Sequence, residues 1–146
     1  MAITTNATMV QPSTDGSSRF AWVLAQTLTA TDATVGLVGF ASVSQATIYA
    51  KTATVTGTSP TLDLYIHKLL PDLATWQDIA HFTQITSATG RVMSMVTGGN
   101  KEETQQTNTL AAATINSVAF GSTWRLSAVV GGTTPSFVLS VWMETQ

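Results

Sequence analysis

Residues 53–66, ATVTGTSPTLDLYI, and residues 128–141, AVVGGTTPSFVLSV, stand 75 positions apart and repeat one phrase. Laid over each other, Ala53 meets Ala128, Gly57 meets Gly132, Thr58 meets Thr133, Pro60 meets Pro135 and Leu64 meets Leu139. The flanks follow the same offset, Tyr49 with Trp124 and Val43 with Val118. In each copy an extended run enters Gly, two hydroxyl residues and Pro, and a second extended run leaves. Gly accepts backbone angles that a Cβ forbids. Pro fixes φ near about −65° and pushes the residue before it towards extended geometry. Four residues is a usual length for a hairpin connection. The phrase therefore predicts two equivalent hairpins or corners, one from each half of a sandwich. Gly57, Pro60, Gly132 and Pro135 would be their structural turns. It fails as a phosphate loop, because no Lys follows and no helical pattern opens behind it.

Outward from the phrase, the hydrophobic period is two. Leu62, Leu64 and Ile66 alternate with Thr61, Asp63, Tyr65 and His67, an apolar-in, polar-out strand. Ile48, Ala50, Thr52 and Thr54 alternate with Tyr49, Lys51, Ala53 and Val55. Phe20, Trp22, Leu24, Gln26 and Leu28 take one face of an earlier strand, and Ala21, Val23, Ala25 and Thr27 take the other. A turn around Pro71-Asp72 leads into a strand from Trp76, and Arg91–Thr97 reads as a further short strand. Residues 98–108 are the most polar stretch and read as an exposed loop. No segment sustains a 3.6-residue period. The fold expected is all-β, a single-domain antiparallel β-sandwich of jelly-roll-like type with about eight strands over residues 20–146. Residues 1–19 lack periodicity and read as a flexible or partner-bound N-terminal arm, in which Met9, Val10 and Pro12 are candidate interface residues.

Composition narrows the function. Charged residues make up 10% of the chain, against roughly 25% in a typical soluble domain. With 27 threonines filling the polar positions, the surface is neutral rather than charged, as expected where neighbouring chains cover it. The net charge of −2 and six dispersed Lys and Arg argue against nucleic acid as a partner. No run is long and apolar enough for a membrane span, and the first residues lack the pattern of a secretory signal. The chain has no Cys, so disulfides and thiolate metal sites are excluded, which suits synthesis in a reducing cytoplasm.

Chemistry finds little to hold. The two histidines, His67 and His81, lack the spacing of metal ligands and read as satisfied or surface residues. Asp63, Asp72 and Asp78 bracket one hairpin without the dense spacing of a Ca²⁺ loop. No nucleophile motif is present, so the expectation is a non-enzyme with no cofactor, no metal and no catalytic residue. Of the four Trp, Trp22 and Trp124 fall on apolar faces and read as core. Trp142, in the last strand, is the candidate exposed interface aromatic.

Residues 54–68 (TVTGTSPTLDLYIHK), 76–86 (WQDIAHFTQIT) and 125–141 (RLSAVVGGTTPSFVLSV) together resemble a family of small all-β proteins of tailed bacteriophages. The resemblance covers roughly residues 50–90 and 120–142. It implies a structural virion protein: a head decoration, or cement, protein on the outer surface of the capsid. Its implied partners are the major capsid protein and its own copies, as a homotrimer. This chain has LPDLAT at 70–75 where the family usually has Asp-Gly, and its segment 97–117 is longer. The alternative reading is a tail- or fibre-associated sandwich that binds host carbohydrate through an exposed aromatic platform.

Overall fold

Neither Gly-Pro phrase closes a hairpin. In the computed structural model, which describes residues 3, 8–11, 18–98, 102–116 and 118–146, each phrase lies in the middle of one long strand. The chain forms β1 (Thr8–Gln11), β2 (Ser18–Leu28), β3 (Asp32–Ala33), β4 (Leu37–Val38), β5 (Gln45–Leu69), β6 (Trp76–His81), β7 (Thr89–Val96), β8 (Thr114–Ile115) and β9 (Thr123–Thr145). The phrases are the centres of β5 and β9, which pair antiparallel from Ala46 opposite Thr145 to Lys68 opposite Trp124. They therefore meet each other, with Thr58 opposite Thr133.

The contact is reciprocal. Gly57 has φ +113° and lies so close to the other phrase that a Cβ there would stand 2.7 Å from Thr134 O. Gly132 has φ +106°, and its Cβ would stand 2.6 Å from Ser59 O. Ser59 and Thr134, the residues before the two prolines, share left-handed backbones at φ 49° and 47°. The β5–β9 register slips on both sides of Thr58. Such bulges bend a strand and increase its twist. The repeat is thus a local two-fold relation within one ladder, and the expected pair of corners is one shared crossing.

On one side of the crossing the strands run β1, β2, the end of β9, the start of β5, then β7. On the other side β3 and β4 flank the start of β9, and the end of β5 is followed by β6 and β8. Among the described residues the nine strands belong to one connected sheet, and every ladder between them is antiparallel. The two halves share a single core. Trp22, Ile48, Met95 and Val141 from the first join Leu64, Ile66, Ile79 and Trp124 from the second in one buried cluster. The result is an all-β, sandwich-like domain, with no helix among the described residues and so none able to cross a membrane.

Trp22 and Trp124 are core residues, as their faces predict. Phe40 stacks on Trp124 at 4.4 Å, and the indole N–H donates to Phe120 O at 2.8 Å. The alternation expected in β2 breaks after Trp22. Leu24 is 46% exposed because the ladder to β9 slips twice and Ala25 turns to φ 45°. The apolar run 35–43 contributes only the two residues of β4. In the arm, β1 hydrogen-bonds to β2, so Met9 and Val10 lie on a sheet edge, and Ile3 is buried in the core cluster. Pro12 lies outside the described residues.

Substituting either glycine of the crossing forces both a left-handed backbone and a clash with backbone atoms. Gly57→Ala and Gly132→Ala should each lower unfolding stability by about 2–4 kcal/mol. Gly39 has a similar φ of +104° but open space around it, so Gly39→Ala should cost only about 1 kcal/mol. Urea titration reads all three. Because each glycine abuts the other's phrase, the Gly57/Gly132 double variant should depart from additivity.

Candidate functional site

The strongest gathering of titratable groups lies on the outer face of β5, between residues 63 and 67. That face was expected to meet water. Instead the segment 102–116 covers it, leaving Tyr65, His67, Asp78 and His81 buried. The segment is stitched to β6: Asp78 N donates to Gln106 O at 2.9 Å, Gln106 N donates to Gln77 Oε1 at 2.9 Å, and Thr107 Oγ1 donates to Trp76 O at 2.5 Å.

Asp78 is the hub. Its Oδ1 accepts from Asn108 N at 2.8 Å, and its Oδ2 accepts from Thr109 N at 2.9 Å and Leu110 N at 3.0 Å. His67 Nε2 lies 2.9 Å from Oδ1. His67 Nδ1 accepts from Arg125 Nε at 3.0 Å, so a neutral ring carries its proton on Nε2, facing the carboxylate. The Arg125 guanidinium lies 4.4 Å above the Trp76 ring, a cation–π contact that ties β9 to β6. Burial pushes the Asp78 carboxyl up, but His67 and the three backbone N–H donors outweigh it and hold the group below its ordinary range. For Arg125, burial dominates and shifts the guanidinium downwards, although Asp78 works in the opposite direction.

A second Asp–His pair lies beside the first. His81 Nδ1 is 2.7 Å from Leu110 O and its Nε2 is 3.1 Å from Asp63 Oδ1, so both nitrogens are placed to donate. Asp63 also accepts from Gln84 Nε2 at 2.9 Å. The Tyr65 ring stacks on His81 at 3.9 Å. Burial, then the Asp63 and Asp78 charges, raise the Tyr65 phenol. Both histidines are thus buried rather than exposed, each with a nitrogen close to an aspartate oxygen.

The three aspartates considered as a cation site are not brought together. Asp72 caps its own turn, accepting from Ala74 N and Thr75 N, while Asp63 and Asp78 each hold a histidine. Among the described residues no group of three or more His, Asp or Glu is placed to hold a metal. The network's chemistry is that of an anchor, in which the Asp78 oxygens collect three backbone N–H groups of residues 108–110.

The open chemistry lies on the outer face of the other half. Val92 of β7, Tyr49 of β5 and Trp142 of β9 stand opposite one another in a row across three strands. The Tyr49 and Trp142 rings stack at 5.4 Å with planes 19° apart. Gly90 makes room for Tyr49, since a Cβ there would fall 2.9 Å from the ring. The next row carries Ser94, its hydroxyl 3.2 Å from Thr47 Oγ1, then Glu144 and Arg19, which form an ion pair. A shallow hollow of about 220 Å³ lies among Arg19, Phe20, Thr47, Tyr49, Trp142 and Glu144. The structure thus places Trp142 half-exposed on a strand face, with Tyr49 as a partner that the sequence reading did not single out.

The chain matches no family model, no curated protein and no solved structure.

The Asp78 anchor sets the acid limit of the fold. Its carboxyl lies below the ordinary 3.8 in the folded chain, so its stabilisation is complete above about pH 4 and is lost as pH falls through the lower folded value. Asp78→Ala should cost about 3 kcal/mol at pH 7 and flatten the loss of stability below pH 4. Hydrogen exchange should quicken at the amides of residues 108–110. Denaturation followed at several pH values, with exchange mapping, checks both.

Proposed function

We propose that this chain is a non-enzymatic structural protein of a tailed-bacteriophage virion, a decoration protein that binds the outer surface of the head and stabilises capsomer junctions. Its partners in this reading are the major capsid protein and its own copies, in threefold association. It is made in the host cytoplasm and resides on the virion surface. One observation carries the reading beyond the resemblance of residues 54–68, 76–86 and 125–141. The most strongly coupled titratable groups are buried in an anchor, while the exposed aromatic pair lies on a flat strand face with one ion pair beside it. A central apolar row with a polar margin is the anatomy of a protein–protein contact, where Tyr, Trp and Arg contribute most.

The same pair supports a second reading, since Tyr49 and Trp142 with Thr47 and Glu144 beside them offer a sugar both stacking and hydrogen bonds. Co-sedimentation with heads lacking the protein separates the two. Tyr49→Ala and Trp142→Ala should each weaken head occupancy about tenfold or more, with folding retained. Unchanged occupancy, together with a glycan-array signal abolished by the same variants, would replace the capsid reading with the carbohydrate one.

A further inference from the structure

The outer edge of β7 carries a sequence that is symmetric about its centre. Residues 92–96 read Val-Met-Ser-Met-Val, a palindrome centred on Ser94. Reversed, the segment presents the same side chains in the same order, so an antiparallel pairing about Ser94 sets Val against Val, Met against Met and Ser against Ser. Backbone geometry falls in step with the palindrome. Gln45 exchanges both hydrogen bonds with Gln146, at 3.0 Å and 2.9 Å, so its amide and carbonyl face away from β7. Antiparallel ladders alternate, so Ala46, Ile48 and Ala50 serve β7, where they stand opposite Met95, Met93 and Arg91. The N–H and C=O groups of Val92, Ser94 and Val96 therefore point off the sheet. These are the palindrome's centre and its two ends.

Of the devices that guard natural edges, this strand carries one, the charge of Arg91 on the core-facing side opposite Ala50. β7 contains neither Pro nor Lys, and its ladder to β5 runs from Gln45–Val96 to Thr52–Thr89 without a slip. Val92 and Val96 are 67% and 62% exposed. Beside the edge an open groove of about 270 Å³ separates Arg91, Val92, Met93 and Ser94 from Phe82, Ala113 and Ile115.

We propose that two copies of this chain join through their β7 strands, antiparallel about Ser94, into one continuous sheet. Val92 then stands opposite the partner's Val96, and Ser94 opposite the partner's Ser94. The amides and carbonyls of residues 92, 94 and 96 exchange hydrogen bonds with the partner's matching set. The Val92–Tyr49–Trp142 row of each copy runs up to the seam, so the aromatic faces form one surface. The contact is separate from threefold association; with both present, the smallest closed assembly is a hexamer with three two-fold axes.

The absence of Cys makes a clean test available. In the proposed register the two Ser94 Cα atoms stand about 5.5 Å apart, within disulfide reach. Ser94→Cys should form a covalent dimer under mild oxidation, and Val92→Cys should not, because its opposite residue is the partner's Val96. Sedimentation velocity should show a concentration-dependent two-fold step in mass for the unmodified chain. Val92→Lys with Val96→Lys, at positions exposed in the single chain, should raise the dissociation constant of that step at least about tenfold, with an unchanged thermal midpoint of the dissociated species. Equal cross-linking from positions 92 and 94 would overturn the proposal. So would a mass step indifferent to the lysines, or no two-fold step at any concentration.

Discussion

The fold depends on two glycines that lie against each other's phrases. Gly57 leaves no room for a side chain between itself and Thr134-Pro135, and Gly132 leaves none against Ser59-Pro60. Because the two contacts are related by a local two-fold, each strand is bent at the point where the other bends. Only there can β5 and β9 remain paired while their ends serve different halves of the domain. Everything else follows from that crossing. β2 and β7 find their places on one pair of strand ends, while β3, β4 and β6 find theirs on the other, and both halves contribute to one core.

The second constraint is the covering of β5 by residues 102–116. A polar strand face in water needs no anchor; a polar face under a loop must satisfy every donor and acceptor. Asp78 does most of this by collecting three backbone N–H groups and one histidine. Arg125 adds a donor to His67 Nδ1 from β9. The loop is held by charge-assisted hydrogen bonds rather than by apolar packing, so this half of the molecule responds to acid. The other half carries its exposed apolar side chains on an uncovered face, and the two halves differ in chemistry although related strands build them.

Much of the fold was legible because strand periodicity is local. The alternation of Leu62, Leu64 and Ile66, the turn at Pro71-Asp72 and the burial of Trp22 and Trp124 follow from near neighbours. The meaning of the repeated phrase was not, since Gly-x-x-Pro serves a hairpin and a mid-strand bulge equally well and only the pairing partner decides. The Leu24 face was misread because bulges leave no mark in composition. His67 opposite Asp78 could have been counted from the hairpin centred near residue 72, whereas their burial could not, because the covering segment is thirty residues away. Trp142 was visible as a solvent-facing aromatic of the last strand, but Tyr49 beside it depended on the register between β5 and β9.

The pairing of β5 with β9 also fixes when the protein can become itself. As the chain emerges from a ribosome, the whole length of β5 is exposed with its central partner still unmade, because Ala46 must wait for Thr145. Contacts this distant in sequence form slowly, and the intermediate hairpin of β5 with β6 or β7 leaves one edge open meanwhile. Folding is therefore completed only once β9 is free, and a chain stopped before β9 lacks the strand that closes both halves. An incomplete chain can build neither the crossing nor the Tyr49–Trp142 pair, so synthesis itself withholds the finished surface until β9 has emerged.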